Sequence, residues 1–169
     1  MVDQEIQRLS KQVGHALKSA GLKLVTAESC TGGWVGEAIT AIAGCSDWFD
    51  RGFITYSNAA KREVLGVAAT TIQLHGAVSE ETAREMALGA LKHSRAQISV
   101  AVTGVAGPGG GTDDKPVGTV CFAWAKGDSA LRSEQQLLKG DRTAVRQHSV
   151  AIALRGLIDL AGEHETAVA

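Results

Sequence analysis

The sequence predicts a layered α/β domain, with helices on both faces of a central mixed, mostly parallel sheet. Two observations carry this. Helical apolar stripes alternate along the chain with short apolar runs bounded by glycine, serine or asparagine. The run Ile98 to Thr103 is almost wholly apolar and β-branched, as expected for a strand covered on both faces. The length of 169 residues can bury one sizeable core, and no linker, internal repeat or charge block marks a second unit. One domain is expected over residues 1–162, with a polar tail over 163–169.

Each element has its own warrant. Asp3 can cap a first helix whose Ile6, Leu9, Val13, Ala16, Leu17 and Ala20 share a face, and Gly21 stops it. Leu22 to Ala27 is a strand, and a helix is expected from Thr31 to about Ile42. Asp50 to Tyr56 reads as a second strand, and Ser57-Asn58 as the cap of a short helix from about Ala59 to Leu65. Ser79-Glu80-Glu81 opens the clearest helix, with two acids at its positive end and Ala83, Met86, Ala87, Ala90 and Leu91 on one stripe. After the Ile98 strand come a glycine loop over 104–115, strands at Gly118–Ala125 and Leu131–Leu138, and a last helix capped by Asp141.

Composition excludes several classes of function. The chain is 44% hydrophobic with 20 glycines and 2 prolines, which argues against disorder. Its net charge of −1 sets up no field for nucleic acid, and three Trp, three Phe and one Tyr are too few for a base-stacking platform. Cys30, Cys45 and Cys121 are odd in number and have no CxxC spacing, so a reducing compartment is expected. With no signal-peptide pattern and no apolar run near ~20 residues, a soluble cytoplasmic protein is expected, with no membrane partner.

The segment Thr26-Ala27-Glu28-Ser29-Cys30-Thr31-Gly32-Gly33 joins the first strand to its helix. A hydroxyl there lies beside unpaired N–H groups and the positive helix end, which can hold an anion or an oxyanion. Ser29 is therefore a phosphate ligand, a nucleophile or a helix cap. Cys30, at the same turn, is either a thiol of lowered pKa or a small packing residue. Glu28 either orients the turn or caps the backbone.

Three further groups could carry chemistry. Gly104, Gly107, Gly109, Gly110 and Gly111 permit close backbone approach to a ligand at a strand's C-terminal end, where open α/β sheets bind. The order fits neither a Walker A loop nor G-x-G-x-x-G, and a flexible surface loop is the other reading. Lys61 falls in the first turn of a short helix, whose positive end disfavours its charge, and a neutral amine is a competent base for a serine hydroxyl. Arg142 and Arg146 share a helix face and can grip a phosphate or carboxylate, with Lys115 able to join them, unless all are solvated cations. His15, His75, His93, His148 and His164 have no metal-ligand or triad spacing, and Asp113-Asp114 reads as a solvated turn ahead of the alternative, a Mg²⁺ site.

In order along the chain, TAESCTGG (26–33), TYSNAAK (55–61), GAVSEETA (76–83), TGVAGPGGGTDDKPVGTV (103–120) and GDRTAVR (140–146) resemble the CinA C-terminal domain family. The likeness spans roughly residues 5 to 160. It implies the stand-alone activity of that family, hydrolysis of nicotinamide mononucleotide to nicotinate mononucleotide and ammonia, with no metal and no cofactor. It places the nucleophile on Ser29 and its lysine on Lys61. Tyr56 and Thr103 match positions near the site, and Arg142 or Arg146 the arginine that meets substrate. Cys30 and Thr31, with Thr103, are then expected around the oxyanion, and Gly32, Gly33, Gly104, Gly107, Gly109, Gly110, Thr112 and Lys115 around the substrate. Ala59 departs from the acidic residue of many relatives. A homo-oligomer, dimer or higher, is expected because small α/β enzymes often assemble. The rival of another class is a non-catalytic nucleotide-binding module, in which Ser29 and the glycine loop cradle phosphate and Lys61 is an ordinary cation.

Overall fold

The computed structural model describes residues 2–163. Among them the chain runs α1 (Val2–Ala20), β1 (Leu24–Glu28), α2 (Trp34–Thr40), β2 (Phe49–Ile54), α3 (Asn58–Leu65), α4 (Ala69–His75), α5 (Glu80–Lys92), β3 (Ile98–Gly104), β4 (Thr119–Lys126), β5 (Ala130–Leu137) and α6 (Arg142–Ala161). The strands form one sheet in the order β2-β1-β3-β4-β5. β1 is parallel to β2 and to β3, whereas β3–β4 and β4–β5 are antiparallel. The mixed sheet thus has its parallel part where the crossover helices are.

Two apolar clusters make the layers. Leu24, Ile98, Val100, Val102, Val120, Phe122 and Trp124 face α1, α2 and α6. On the other face Ala27, Ala101, Cys121, Ala123 and Ala125 meet Ala83, Met86, Ala87 and Ala90 of α5. Small residues on both sides of that second contact bring α5 close to the sheet, close enough for Ser99 Oγ to donate to the Ala87 carbonyl at 2.9 Å. The same closeness joins α5 to α3, where a Cβ on Gly89 would fall 1.9 Å from the Leu65 carbonyl oxygen.

Two departures from the sequence reading have local causes. α2 begins at Trp34 rather than Thr31, because Gly32 and Gly33 take left-handed φ of +61° and +102° and delay the first helical turn. α4 was not expected: seven residues give no apolar stripe and it has no cap of its own. Its support is tertiary, since the Glu85 carboxylate of α5 accepts from Ala68 N at 2.7 Å and from Thr71 Oγ1. Of the tail expected over 163–169, all beyond Glu163 lies outside the described residues, as does His164. No helix among the described residues is long and apolar enough to cross a membrane.

Candidate active site

The parallel strands β2, β1 and β3 end side by side, and the site is built on those ends. Register pairs Glu28 with Ile54 and with Val102, so the next residues, Thr55, Ser29 and Thr103, stand level across the sheet. Two backbone bonds continue the ladder past Glu28, Thr55 N to the Glu28 carbonyl at 2.8 Å and Ser29 N to the Val102 carbonyl at 2.9 Å. Three hydroxyl side chains therefore form a row under α3 and the α4–α5 connection.

Lys61 reaches into that row from α3. Ser57 caps the helix by accepting from Ala60 N at 3.0 Å, which sets Lys61 one turn in and facing the sheet. Its Nζ lies 2.9 Å from Ser29 Oγ, 2.9 Å from the Thr55 carbonyl and 3.0 Å from the Tyr56 carbonyl. The residue is 1% exposed, and no carboxylate lies within ion-pair range of it among the described residues. Burial disfavours the ammonium and holds its pKa below the ordinary 10.5. The sequence reading assigned that shift to the helix end; the structure assigns it to desolvation. As an ammonium Lys61 donates to Ser29 Oγ and to both carbonyls; once deprotonated it keeps two N–H groups for the carbonyls and turns a lone pair to Ser29 Oγ.

Glu28 organises the serine turn. Its carboxylate is 2% exposed and accepts from Thr31 Oγ1 at 2.7 Å, Val35 N at 2.8 Å and Gly36 N at 3.0 Å. A carboxylate on free N–H groups at a helix start is favoured by the helix dipole. This corrects the expectation that the helix amides face a ligand: two of them are already taken. By contrast, the N–H groups of Cys30 and Thr31 have no acceptor among the described residues. Arg146 braces the same turn from α6, with Nε on the Cys30 carbonyl and Nη2 on the Thr31 carbonyl, each at 3.1 Å, and its guanidinium over Trp34.

Other expected residues are placed less simply. Cys30 is 5% exposed, and burial pushes its thiol up to about 11, so it is the packing residue of the two alternatives. Thr103 Oγ1 gives its one proton to the Ala77 carbonyl at 2.9 Å and is not free to donate to an oxyanion. Lys115 Nζ donates to the His75 carbonyl at 2.7 Å and to that of Val78, tying the glycine loop to the α4–α5 connection rather than facing open solvent. Thr112 closes a local turn, its N–H on the Lys115 carbonyl and its hydroxyl accepting from Lys115 N. Gly104 packs against β4, where a Cβ would lie 2.8 Å from Val120 Cγ2. The loop is also pinned by bonds from Val105 N to Thr119 O and from Gly118 N to Val105 O, so it is not a loose connection. Gly109 and Gly110 form its exposed rim.

Arg142 and Arg146, one helical turn apart, have different surroundings. Arg142 is exposed and spans the open side, with Nη1 on the Gly107 carbonyl at 2.8 Å and Nη2 on the Tyr56 hydroxyl at 3.3 Å. It joins the glycine loop to the segment that holds Lys61. Sequence reasoning missed Thr55, whose carbonyl holds Lys61 and whose buried Oγ1 has no partner among the described residues. The only signal was its place one residue before Tyr56. No cluster of three or more His, Cys, Asp or Glu residues able to hold a metal occurs among the described residues.

The CinA C-terminal domain model matches residues 6–161. The chain is 53% identical over 157 residues to the nicotinamide-nucleotide amidohydrolase PncC of Escherichia coli K12, covering 93% of this chain and 95% of that one. It is 48% identical over 158 residues to PncC of Pseudomonas putida, covering 94% and 98%. The crystal structure of the competence/damage inducible protein CihA from Agrobacterium tumefaciens superposes with a TM-score of 0.90 at 46% identity, over 92% of this chain and 95% of that one. The chain belongs to the CinA C-terminal domain family.

Proposed function

We propose that this chain hydrolyses the carboxamide of nicotinamide mononucleotide to nicotinate mononucleotide and ammonia, with Ser29 as nucleophile and Lys61 as its base. The observation that carries the reading is the 2.9 Å contact between Ser29 Oγ and a buried lysine with no counter-ion in range. The names of the amidohydrolase relatives support the same substrate.

The steps follow from the geometry. Neutral Lys61 takes the Ser29 proton as Oγ attacks the carboxamide carbon. The N–H groups of Cys30 and Thr31 are the donors left for the tetrahedral oxyanion, each such donor contributing about 3 kcal/mol. Lys61 then gives its proton to the amide nitrogen, the C–N bond breaks and ammonia leaves. Water, deprotonated by Lys61, attacks the ester and restores Ser29 as nicotinate mononucleotide departs. Arg142, the Tyr56 hydroxyl and the rim at Gly109 and Gly110 receive the phosphate, an anchor whose binding free energy aligns the ring.

Ammonia release, read with nicotinamide mononucleotide and with nicotinamide alone, tests the proposal. The nucleotide is expected to turn over and the free amide to be a poor substrate. Arg142→Ala is expected to raise KM more than it lowers kcat. A nucleotide that binds in calorimetry but releases no ammonia would leave a binding module and reject the enzyme.

A further inference from the structure

The sheet has an unpaired edge at β5, remote from Ser29. Leu138 N donates to the Gly118 carbonyl at 2.8 Å, in register with the β4–β5 ladder. Even-numbered residues of β5 therefore turn their backbone groups to β4, and odd-numbered ones turn theirs outward. The N–H and C=O groups of Leu131, Ser133, Gln135 and Leu137 thus point away from β4, on the side of the sheet where no further strand follows among the described residues. Leu131 and Leu137 are 43% and 64% exposed, and an open groove of about 610 Å³ runs along this edge. A strand with free backbone groups and exposed leucines is a template for another strand.

The charges say which strand. Pairing opposite Trp124 and Phe122 puts Arg132 and Glu134 on the same face of β5. If β5 meets a second copy of itself antiparallel about a two-fold axis, outward residues must pair with outward residues. Centring the axis on Ser133 puts Leu131 opposite Gln135, and Arg132 of each copy opposite Glu134 of the partner subunit, twice. Moving the axis one residue either way sets Arg132 against Arg132 or Glu134 against Glu134, which is repulsive. We propose that β5 is the contact of an isologous dimer of this chain, a ten-stranded sheet continuous across the two-fold, with its register fixed by the two Arg132–Glu134 pairs. In the isolated chain Arg132 pairs with Glu163, and Glu134 accepts from Gln136 Nε2 at 2.6 Å; both exchange partners on association.

Sedimentation and light scattering on the full chain test this through charge reversal. The wild type is expected to be a dimer. Arg132→Glu and Glu134→Arg each turn two attractive pairs into two repulsive ones, and are expected to weaken association about tenfold or more. The double reversal, Arg132→Glu with Glu134→Arg, restores the pairs and is expected to restore the dimer. That rescue separates a lost contact from a damaged fold, and thermal unfolding of each variant checks the same point. A wild-type chain monomeric up to its solubility limit, single reversals that associate normally, or a folded double reversal that stays monomeric would each overturn the proposal.

Discussion

Replacing Glu28 with alanine probes how the serine turn is held. The carboxylate is the shared acceptor of Thr31 Oγ1, Val35 N and Gly36 N, and it is 2% exposed. Alanine strands those donors. A buried donor without an acceptor costs about 1–3 kcal/mol. The Val35 amide is fully enclosed, whereas Gly36 is half-buried and the Thr31 hydroxyl can rotate, so the sum is about 3–5 kcal/mol. For a domain of this size that is a drop in Tm of roughly 6–20 °C. Glu28→Gln keeps one oxygen but turns an amide donor towards a backbone donor, and about half the loss is expected. Thermal unfolding by circular dichroism gives the Tm, and ammonia release below the transition gives the effect on the turn. A Glu28→Ala variant that melts within about 2 °C of wild type, with unchanged turnover, would refute the capping role.

Three further outcomes are expected. In the proposed mechanism Lys61 is a base only when neutral, and burial lowers its pKa, so kcat/KM is expected to fall as pH drops through a value below the ordinary lysine 10.5. The same shift makes folding more favourable as pH rises from that depressed value towards 10.5, a dependence that Lys61→Met should flatten. Gly89→Ala puts a methyl 1.9 Å from a backbone oxygen of α3, so it is expected to destabilise by about 1–3 kcal/mol and to lower kcat by shifting the helix that carries Lys61. Cys30 and Cys121 are buried with thiols at about 11, while Cys45 is half-buried, so a thiol reagent near pH 8 should titrate Cys45 in the folded protein and all three after denaturation.

The layered fold was legible because its helices and central strand carry unmixed signals. β3 is apolar throughout, and α5 has a capping serine, two first-turn acids and a stripe of small residues. α4 was not legible because Glu85, seventeen residues from the amide it accepts, supplies its cap. Within the site, the motifs marked Ser29 and Lys61 as candidates, and the structure puts them 2.9 Å apart. The surroundings were less legible, since a hydroxyl or amine can always find a nearby carbonyl that sequence does not display. Thr103 and Lys115 are so engaged, with Ala77 and with His75 and Val78. Arg142 and Arg146 were indistinguishable by spacing, and only the folded turn reveals that Arg146 is bound to the carbonyls of Cys30 and Thr31.

Steady-state ammonia release from nicotinamide mononucleotide by Ser29→Ala and Lys61→Met, with nucleotide binding measured in parallel, tests the paired roles most directly. Both variants are expected to bind the nucleotide and to lose at least about a thousandfold in kcat, together rather than additively. Turnover within about tenfold of wild type in either folded variant would contradict a serine nucleophile served by a lysine base.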